Sequence, residues 1–390
     1  MKKRWLYLLI GAVAVVCLMA LTVHFNITGQ YEGIFLLKGK KGALFEVKDD
    51  LYLGDGRRLI YGIDLDDPRY RLFRLFNKEE AAGAYLYYEW DQEEGRGFVR
   101  NFMPDGKQLL TCFGRYEEGN TDEVHGLFVG GGLPAGVRDD DLVKLDETGM
   151  AYSDGKRWYH IWCSVNEGIS SAVTFQKNNP SEWKYLGSKV LNAGRRELAI
   201  RSSHQVLIDG TPLRIDRYAH FRAGDTYFIL SVRITNVGRN VASYYYCYGD
   251  DPWVGDFGTS AGNVGWVKDG IINFEQPVDS YKYDFAGMCD YGNSVLGKGH
   301  YYTMTANFIE WLGGNRPELV YFSNAPGVFH FDEKTKIPLS SGERFIGLQW
   351  GPHGLKPGES ESYNLAIGMA GHDPETGMPV KPEIILNNIP

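Results

Sequence analysis

The sequence lacks most of the residue clusters by which a functional site is usually recognised. Its five cysteines, Cys17, Cys112, Cys163, Cys247 and Cys289, include no Cys-x-x-Cys pair, so a structural zinc site has no ligands at the required spacing. The nine histidines are scattered, with no His-Glu-x-x-His. Positive charge is not in excess. The formal net charge is −8, and removing the three cations Lys2, Lys3 and Arg4 leaves −11 for the remainder. An acidic body repels phosphate backbones, so nucleic acid is not an expected partner. There is no low-complexity tract, no strong repeat and no long amphipathic helical pattern. The nearest to one, residues 71–84, is short and ends in Ala-Ala-Gly-Ala.

There is a single long apolar run. Residues 5–23 are uncharged and follow Met-Lys-Lys-Arg. At ~1.5 Å per residue such a helix just crosses a ~30 Å hydrocarbon core. The cations in front of it predict an N-terminus inside and the rest of the chain outside, with Trp5 and Tyr7 at the interface. A cleaved signal peptide is the rival reading. Its apolar region is usually shorter and ends in small residues, whereas the exit here is Leu18-Met19-Ala20. An uncleaved anchor over residues 1–23, a linker over 24–33 and a β-sandwich domain over 34–390 are therefore expected. A division near 135–155, where Asp139-Asp140-Asp141 and several glycines interrupt the apolar pattern, competes with a long surface loop. Outside a membrane, Cys112, Cys163, Cys247 and Cys289 allow two disulfides in any of three pairings, or four buried thiols.

What the chain does have is apolar and aromatic mass. Hydrophobic residues make up 43% and aromatics 14%, including 25 Tyr and 9 Trp, alongside 48 Gly. Aromatic residues favour strands, and glycine favours the turns between them. Strand patterns recur at residues 84–90, 158–165, 197–201, 205–208, 212–218, 226–235, 242–248, 301–308, 318–322, 344–350 and 362–369. Asp209-Gly210 is a two-residue hairpin signal. The expected fold is all-β: a large antiparallel β-sandwich, or supersandwich, with one N-terminal transmembrane helix.

Three stretches carry a family resemblance. One is Arg217-Tyr-Ala-His-Phe-Arg-Ala-Gly-Asp-Thr-Tyr-Phe-Ile-Leu-Ser-Val-Arg-Ile-Thr-Asn-Val-Gly238, read as paired core strands. The second, residues 244–256, is a strand entering an acidic, Trp-bearing loop. The third, Leu355-Lys-Pro-Gly-Glu-Ser-Glu-Ser-Tyr-Asn-Leu-Ala-Ile-Gly368, is a late strand after a proline turn. Together they resemble galactose-mutarotase-like β-supersandwich domains, which occur in sugar epimerases, polysaccharide lyases and glycoside hydrolases. The His and Glu motifs of the mutarotases have no matching positions, so their activity is not implied.

Candidate chemistry concentrates at residues 243–266. Asp250, Asp251 and Asp256 supply carboxylates, and Trp253 and Trp266 offer faces on which a sugar can stack. The same carboxylates could hold Ca²⁺, an oxygen-liganded ion; no other cofactor or metal is expected. The alternative is a solvated loop with its tryptophans packed beneath. Gly258-Thr-Ser-Ala-Gly262 matches Gly-x-Ser-x-Gly, but Asn-Val-Gly-Trp follows where a nucleophile elbow needs a helix, which disfavours a serine hydrolase. His220, His300 and Tyr301 are catalytic candidates. A His–Tyr pair can serve as base and acid in a polysaccharide lyase, with Arg217 and Arg222 neutralising a uronate carboxylate. A structural role is the alternative for each His. The expected function is a membrane-tethered, outward-facing domain on the periplasmic or extracellular side that binds or processes carbohydrate. A non-catalytic protein-interaction module of an envelope assembly is the second reading.

Overall fold

A computed structural model describes residues 58–60, 84–93, 95–103, 105–114, 128–129, 149–155, 158–162, 165–171, 183–193, 196–250, 252, 254–255, 263–290, 305–324, 336–339 and 344–385. The apolar N-terminal run lies outside them. Among the described residues there is no helix at all, so none is long and apolar enough to cross a membrane.

The first seven strands are β1 (Arg58–Ile60), β2 (Tyr85–Asp91), β3 (Arg96–Phe102), β4 (Gln108–Gly114), β5 (Phe128–Val129), β6 (Gly149–Ser153) and β7 (Trp158–Trp162). They form one sheet in the order β1-β2-β3-β4-β6-β7, with β5 also on β4. There follow β8 (Val165–Ser170), β9 (Trp183–Ala193), β10 (Glu197–Ile208), β11 (Thr211–Arg222), β12 (Tyr227–Asn236), β13 (Ala242–Asp250), β14 (Asn263–Val267) and β15 (Gly270–Ile272). The last are β16 (Gln276–Val278), β17 (Phe285–Asp290), β18 (Ala306–Leu312), β19 (Leu319–Ser323), β20 (Phe345–Leu355), β21 (Ser360–His372) and β22 (Pro379–Val380). A ten-stranded sheet runs β15-β14-β17-β18-β21-β12-β11-β10-β9, with β22 on β21. A five-stranded sheet runs β16-β19-β20-β13-β8. Every pairing is antiparallel.

The alternation in β11 explains how the layers stack. Leu213, Ile215, Arg217, Ala219 and Phe221 point to one face and are buried, while Arg214, Tyr218, His220 and Arg222 on the other are partly exposed. The buried face receives both smaller sheets. Phe221 and Phe228 meet Phe113 edge-on at 5.8 and 6.0 Å, and Trp90 meets Phe113 at 5.8 Å, which seats the seven-stranded sheet. Tyr363 stacks on Tyr246 at 5.1 Å and lies 4.9 Å from Trp350, which seats the five-stranded sheet. One apolar core thus draws side chains from all three sheets. Asparagines close the polar seams. Asn101 donates to the carbonyls of Arg222 and Asp225 and accepts from the Gly224 amide. Asn307 donates to the Ile161 carbonyl and accepts from the Met288 amide.

Asp209 and Gly210 have φ of 48° and 78°, the left-handed geometry of a two-residue hairpin, and they join β10 to β11 as the sequence predicts. β10 is one continuous strand rather than two. β7 and β8, by contrast, replace the single strand expected at 158–165 and lie in different sheets. Cys112, Cys247 and Cys289 are buried thiols in no disulfide, so two disulfides are not formed. Burial pushes the Cys247 and Cys289 thiols well above their ordinary range, which keeps them uncharged and inert.

The core contains a buried ion pair. Arg217 binds Glu167 of β8 through Nε at 2.8 and 2.9 Å and Nη2 at 2.7 Å, with both side chains fully buried. Tyr246 donates to the same carboxylate at 2.9 Å, and Arg217 Nη1 lies 3.2 Å from His204 Nδ1. Burial pushes Glu167 above its usual carboxylate range, against the pull of Arg217 and the Tyr246 hydroxyl. Arg217→Met leaves that carboxylate without its cation, so the unfolding free energy in urea should fall by about 3–5 kcal/mol. The double variant Arg217→Met/Glu167→Leu should recover most of the loss. Equal instability of the two would show that the pair, as a pair, does not govern stability.

Candidate functional site

The face of the ten-stranded sheet turned away from both smaller sheets divides into two halves. One half is apolar. Tyr227, Ile229, Trp266, Phe285, Phe308 and Ala366 cluster there, and Ile384 from the C-terminal segment packs on them. Lys381 reaches Glu310 at 2.5 Å and lies over the rings of Phe285 and Phe308 at 5.8 and 5.7 Å. The Ile385 amide donates to the Tyr227 hydroxyl at 3.0 Å.

The other half is polar, and the strand register assembles it. The two-residue turn places Arg201 of β10 opposite Tyr218 of β11. Tyr218 in turn opposes Ser231 of β12, and Ser231 opposes Asn364 of β21. Directly opposed side chains in such a ladder have Cβ atoms about 4.5–5.5 Å apart. In the next row His220 lies between Ala199 and Ile229. In the row on the other side Ser203, Asp216 and Arg233 stand in line. Tyr218 and His220 stack with ring centroids 6.3 Å apart and planes 18° apart. Asp216 is held by Ser203 Oγ and by Arg214, whose Nε and Nη2 donate at 3.1 and 2.9 Å.

Three buried atoms in these rows have no hydrogen-bond partner among the described residues: Arg201 Nε, His220 Nε2 and Ser231 Oγ. A buried polar atom left unpaired costs on the order of 1–3 kcal/mol, and these three stand in neighbouring rows of one face. Burial lowers the pKa of His220, favouring the neutral ring, which can accept a proton. A neutral imidazole beside a phenol, a guanidinium and a hydroxyl can take up a proton, orient a polyhydroxylated ligand and hold an anionic group.

The residues singled out in the sequence fall in different places. His220 lies in this polar half. Arg222 lies on the same face at the end of β11, where Asp225 neutralises it through bonds of 2.9 and 2.7 Å. Arg217 does not share the face. It is three residues from His220 in a strand of period two, so it points into the core, and Glu167 already holds its charge. Trp266 is not an open stacking surface either. It is 2% exposed, packs on Phe285 at 4.7 Å and donates to the Asn307 carbonyl at 2.9 Å. Gly287, with no Cβ, leaves the space for its indole. Asp250 ends β13, and its side chain, with Asp251, Trp253, Asp256, Ser260, His300 and Tyr301, lies outside the described residues. Among the described residues no group of three His, Cys, Asp or Glu could hold a metal ion, and the carboxylates considered for Ca²⁺ are not among them. The stretch after Gly262 is strand β14, not the helix a nucleophile elbow requires. Sequence reasoning alone does not point to Arg201, Tyr218, Ser231 or Arg233. The signal for Arg201 was present in the hairpin, because a two-residue turn at 209–210 fixes which residues of β10 and β11 oppose one another.

No protein-family model matches the chain, and neither does any curated protein. Among solved structures it is similar to a galactose mutarotase-like protein of Clostridium acetobutylicum, with 9% identity and a TM-score of 0.33, over 74% of this chain and 98% of that one. It is also similar to a Klebsiella pneumoniae protein designated an aldose 1-epimerase, with 10% identity and a TM-score of 0.38, over 73% of this chain and 84% of that one. A third likeness is to a family GH36 alpha-galactosidase of Geobacillus stearothermophilus, with 9% identity and a TM-score of 0.34, over 73% of this chain and 40% of that one.

His220 makes the stability of this region depend on acid. Its neutral form is favoured in the folded chain, whereas unfolding frees the ring to bind a proton at its ordinary value near 6.5. Its contribution is present above that pH and is lost as the pH falls below it. Urea unfolding at a series of pH values from 7.5 to about 5 should show this fall. In His220→Gln the fall should be smaller. An unchanged slope in the variant would remove His220 from the account.

Proposed function

We propose that the protein is a membrane-tethered, outward-facing domain that binds, and through His220 processes, carbohydrate on the polar half of its large sheet. The observation that carries this reading is the row Arg201–Tyr218–Ser231–Asn364 beside His220, with three buried polar atoms lacking partners. A sugar ring offers alternating hydroxyl donors and acceptors around a C–H face. Asn364 can exchange hydrogen bonds with hydroxyls, and the Tyr218–His220 stack offers flat rings to a C–H face. The uncharged run at residues 5–23, with its cations in front, supports tethering with the domain on the periplasmic or extracellular side, where glycans are the abundant ligands. Neutral His220 is suited to the role of general base, and a well-placed base contributes about 10²–10⁴-fold.

Calorimetric titration of the intact chain in detergent with a panel of neutral and acidic oligosaccharides tests the reading. At least one should bind, and Tyr218→Ala should weaken it about tenfold, equivalent to ~1.4 kcal/mol. For any bound sugar that is turned over, His220→Gln should lower the rate at least about 10²-fold while leaving the affinity within a few-fold. No binding at millimolar concentrations across the panel would overturn the assignment.

A further inference from the structure

The charge on this face runs against the charge of the protein. The chain carries −8 overall. Yet on strands β9 to β12, over the rows from Ala199 to Gln205, the outward side chains include Lys184, Lys189, Arg201, Arg214 and Arg233 against the one carboxylate of Asp216, and Glu310, farther along the Ala199 row, is held by Lys381. The Asp216 carboxylate is already occupied, because Arg214 and Ser203 both bind it. Lys189 stands directly opposite Arg201 across the β9–β10 pair. Like charges placed so are destabilising. No described group forms a hydrogen bond or ion pair with Arg201, and its Nε is buried. In the same row, on the far side of Tyr218, Ser231 is 8% exposed with an Oγ that has no partner among the described residues.

On the strength of the carbohydrate reading above, we infer that Arg201 and Lys189 form an anion subsite that selects sugars carrying an acidic substituent. Three features favour an anion over a neutral hydroxyl. An unpaired guanidinium and an adjacent ammonium leave a net positive charge that only an anion relieves. The planar guanidinium fork matches a carboxylate or sulfate with two parallel bonds, which a hydroxyl cannot accept. The subsite also lies one row from His220, so an acidic group held there sets the ring carbons of the same sugar against a neutral imidazole. Arg201 acts as a specificity-determining residue. The carboxylate of a uronic acid and a sulfate ester share this chemistry.

The test titrates the intact chain in detergent with three trisaccharides of similar size: a trigalacturonate, a sulfated galactose trimer and an unmodified galactose trimer. One or both acidic trimers should bind at least about tenfold more tightly than the neutral one, the margin of a charge-assisted pair. In Arg201→Gln that preference should fall about tenfold, and Arg201→Lys should restore part of it because charge returns without the fork. Raising salt should reduce the preference in the parent and have little effect in Arg201→Gln. Should Arg201→Gln fail to fold, Lys189→Gln at an exposed position serves instead, with an expected loss of about two- to fivefold. Tight binding of the carboxylate trimer alone, or of the sulfated one alone, identifies the acidic group and supports the subsite. Equal binding of neutral and acidic trimers, or equal weakening of both by Arg201→Gln, overturns the subsite while leaving the carbohydrate reading intact. Absence of binding by all three overturns both.

Discussion

The buried pair of Arg217 and Glu167 governs the geometry on which the rest of the structure depends. It sits where the large sheet faces the five-stranded one, and both side chains are fully buried. A charge taken out of water so completely requires its partner in place. The pair therefore fixes two things together: which sheet lies on β11, and which face of β11 turns inward. Side chains alternate along a strand, so a slip of one residue would bring His220 and Tyr218 into the core and expel Arg217. The inward guanidinium thus sets the outward phase of Tyr218, His220 and Arg222. Tyr246 and His204 extend the same network, so β8, β10, β11 and β13 are tied at one point.

With both smaller sheets on one face of the large sheet, its other face has no partner sheet among the described residues. The structure treats the two halves of that face differently. The apolar half is closed by the chain itself: Ile384 covers the aromatic cluster, and Lys381 neutralises Glu310, whose pKa burial raises. The polar half keeps unpaired atoms instead. Hydrophobic burial accounts for the first half but not for the second, because Arg201, Ser231 and His220 would each be cheaper as apolar residues if stability were the only demand. The same sheet thus distinguishes a structural surface from one whose polar groups lack internal partners.

Much of this was legible in the sequence. The all-β class followed from recurring apolar alternation, and Asp209-Gly210 marked the central hairpin that the structure contains. The grouping of Arg217 with His220 and Arg222 went wrong for a physical reason. Proximity in sequence is not proximity in space, because residues three apart in a strand face opposite ways. Trp266 misled for a different reason. A tryptophan among glycines and aspartates reads as an exposed stacking face, but Gly287 on the neighbouring strand gives its indole room to lie flat in the aromatic cluster, and that neighbour is not local in sequence. Ser231 was illegible because its importance lies only in what it lacks. A serine inside Phe-Ile-Leu-Ser-Val-Arg looks like a tolerated polar residue until the register sets it beside Tyr218.

The acidic balance of the whole chain weighs against an acidic ligand only at long range, and distance decides the matter. At physiological ionic strength charges are screened over about 8 Å. The surplus carboxylates elsewhere on the molecule act on an approaching glycan only weakly, whereas Arg201 and Lys189 would act on it at contact. A partly buried guanidinium is also screened less than an exposed one, because the surrounding protein excludes the salt and water that would weaken its field. Net charge therefore bears on solubility and on long polyanions such as nucleic acid, which must lie across many surface charges at once. A single acidic sugar samples only the few residues around the row of Arg201, and there the balance is reversed.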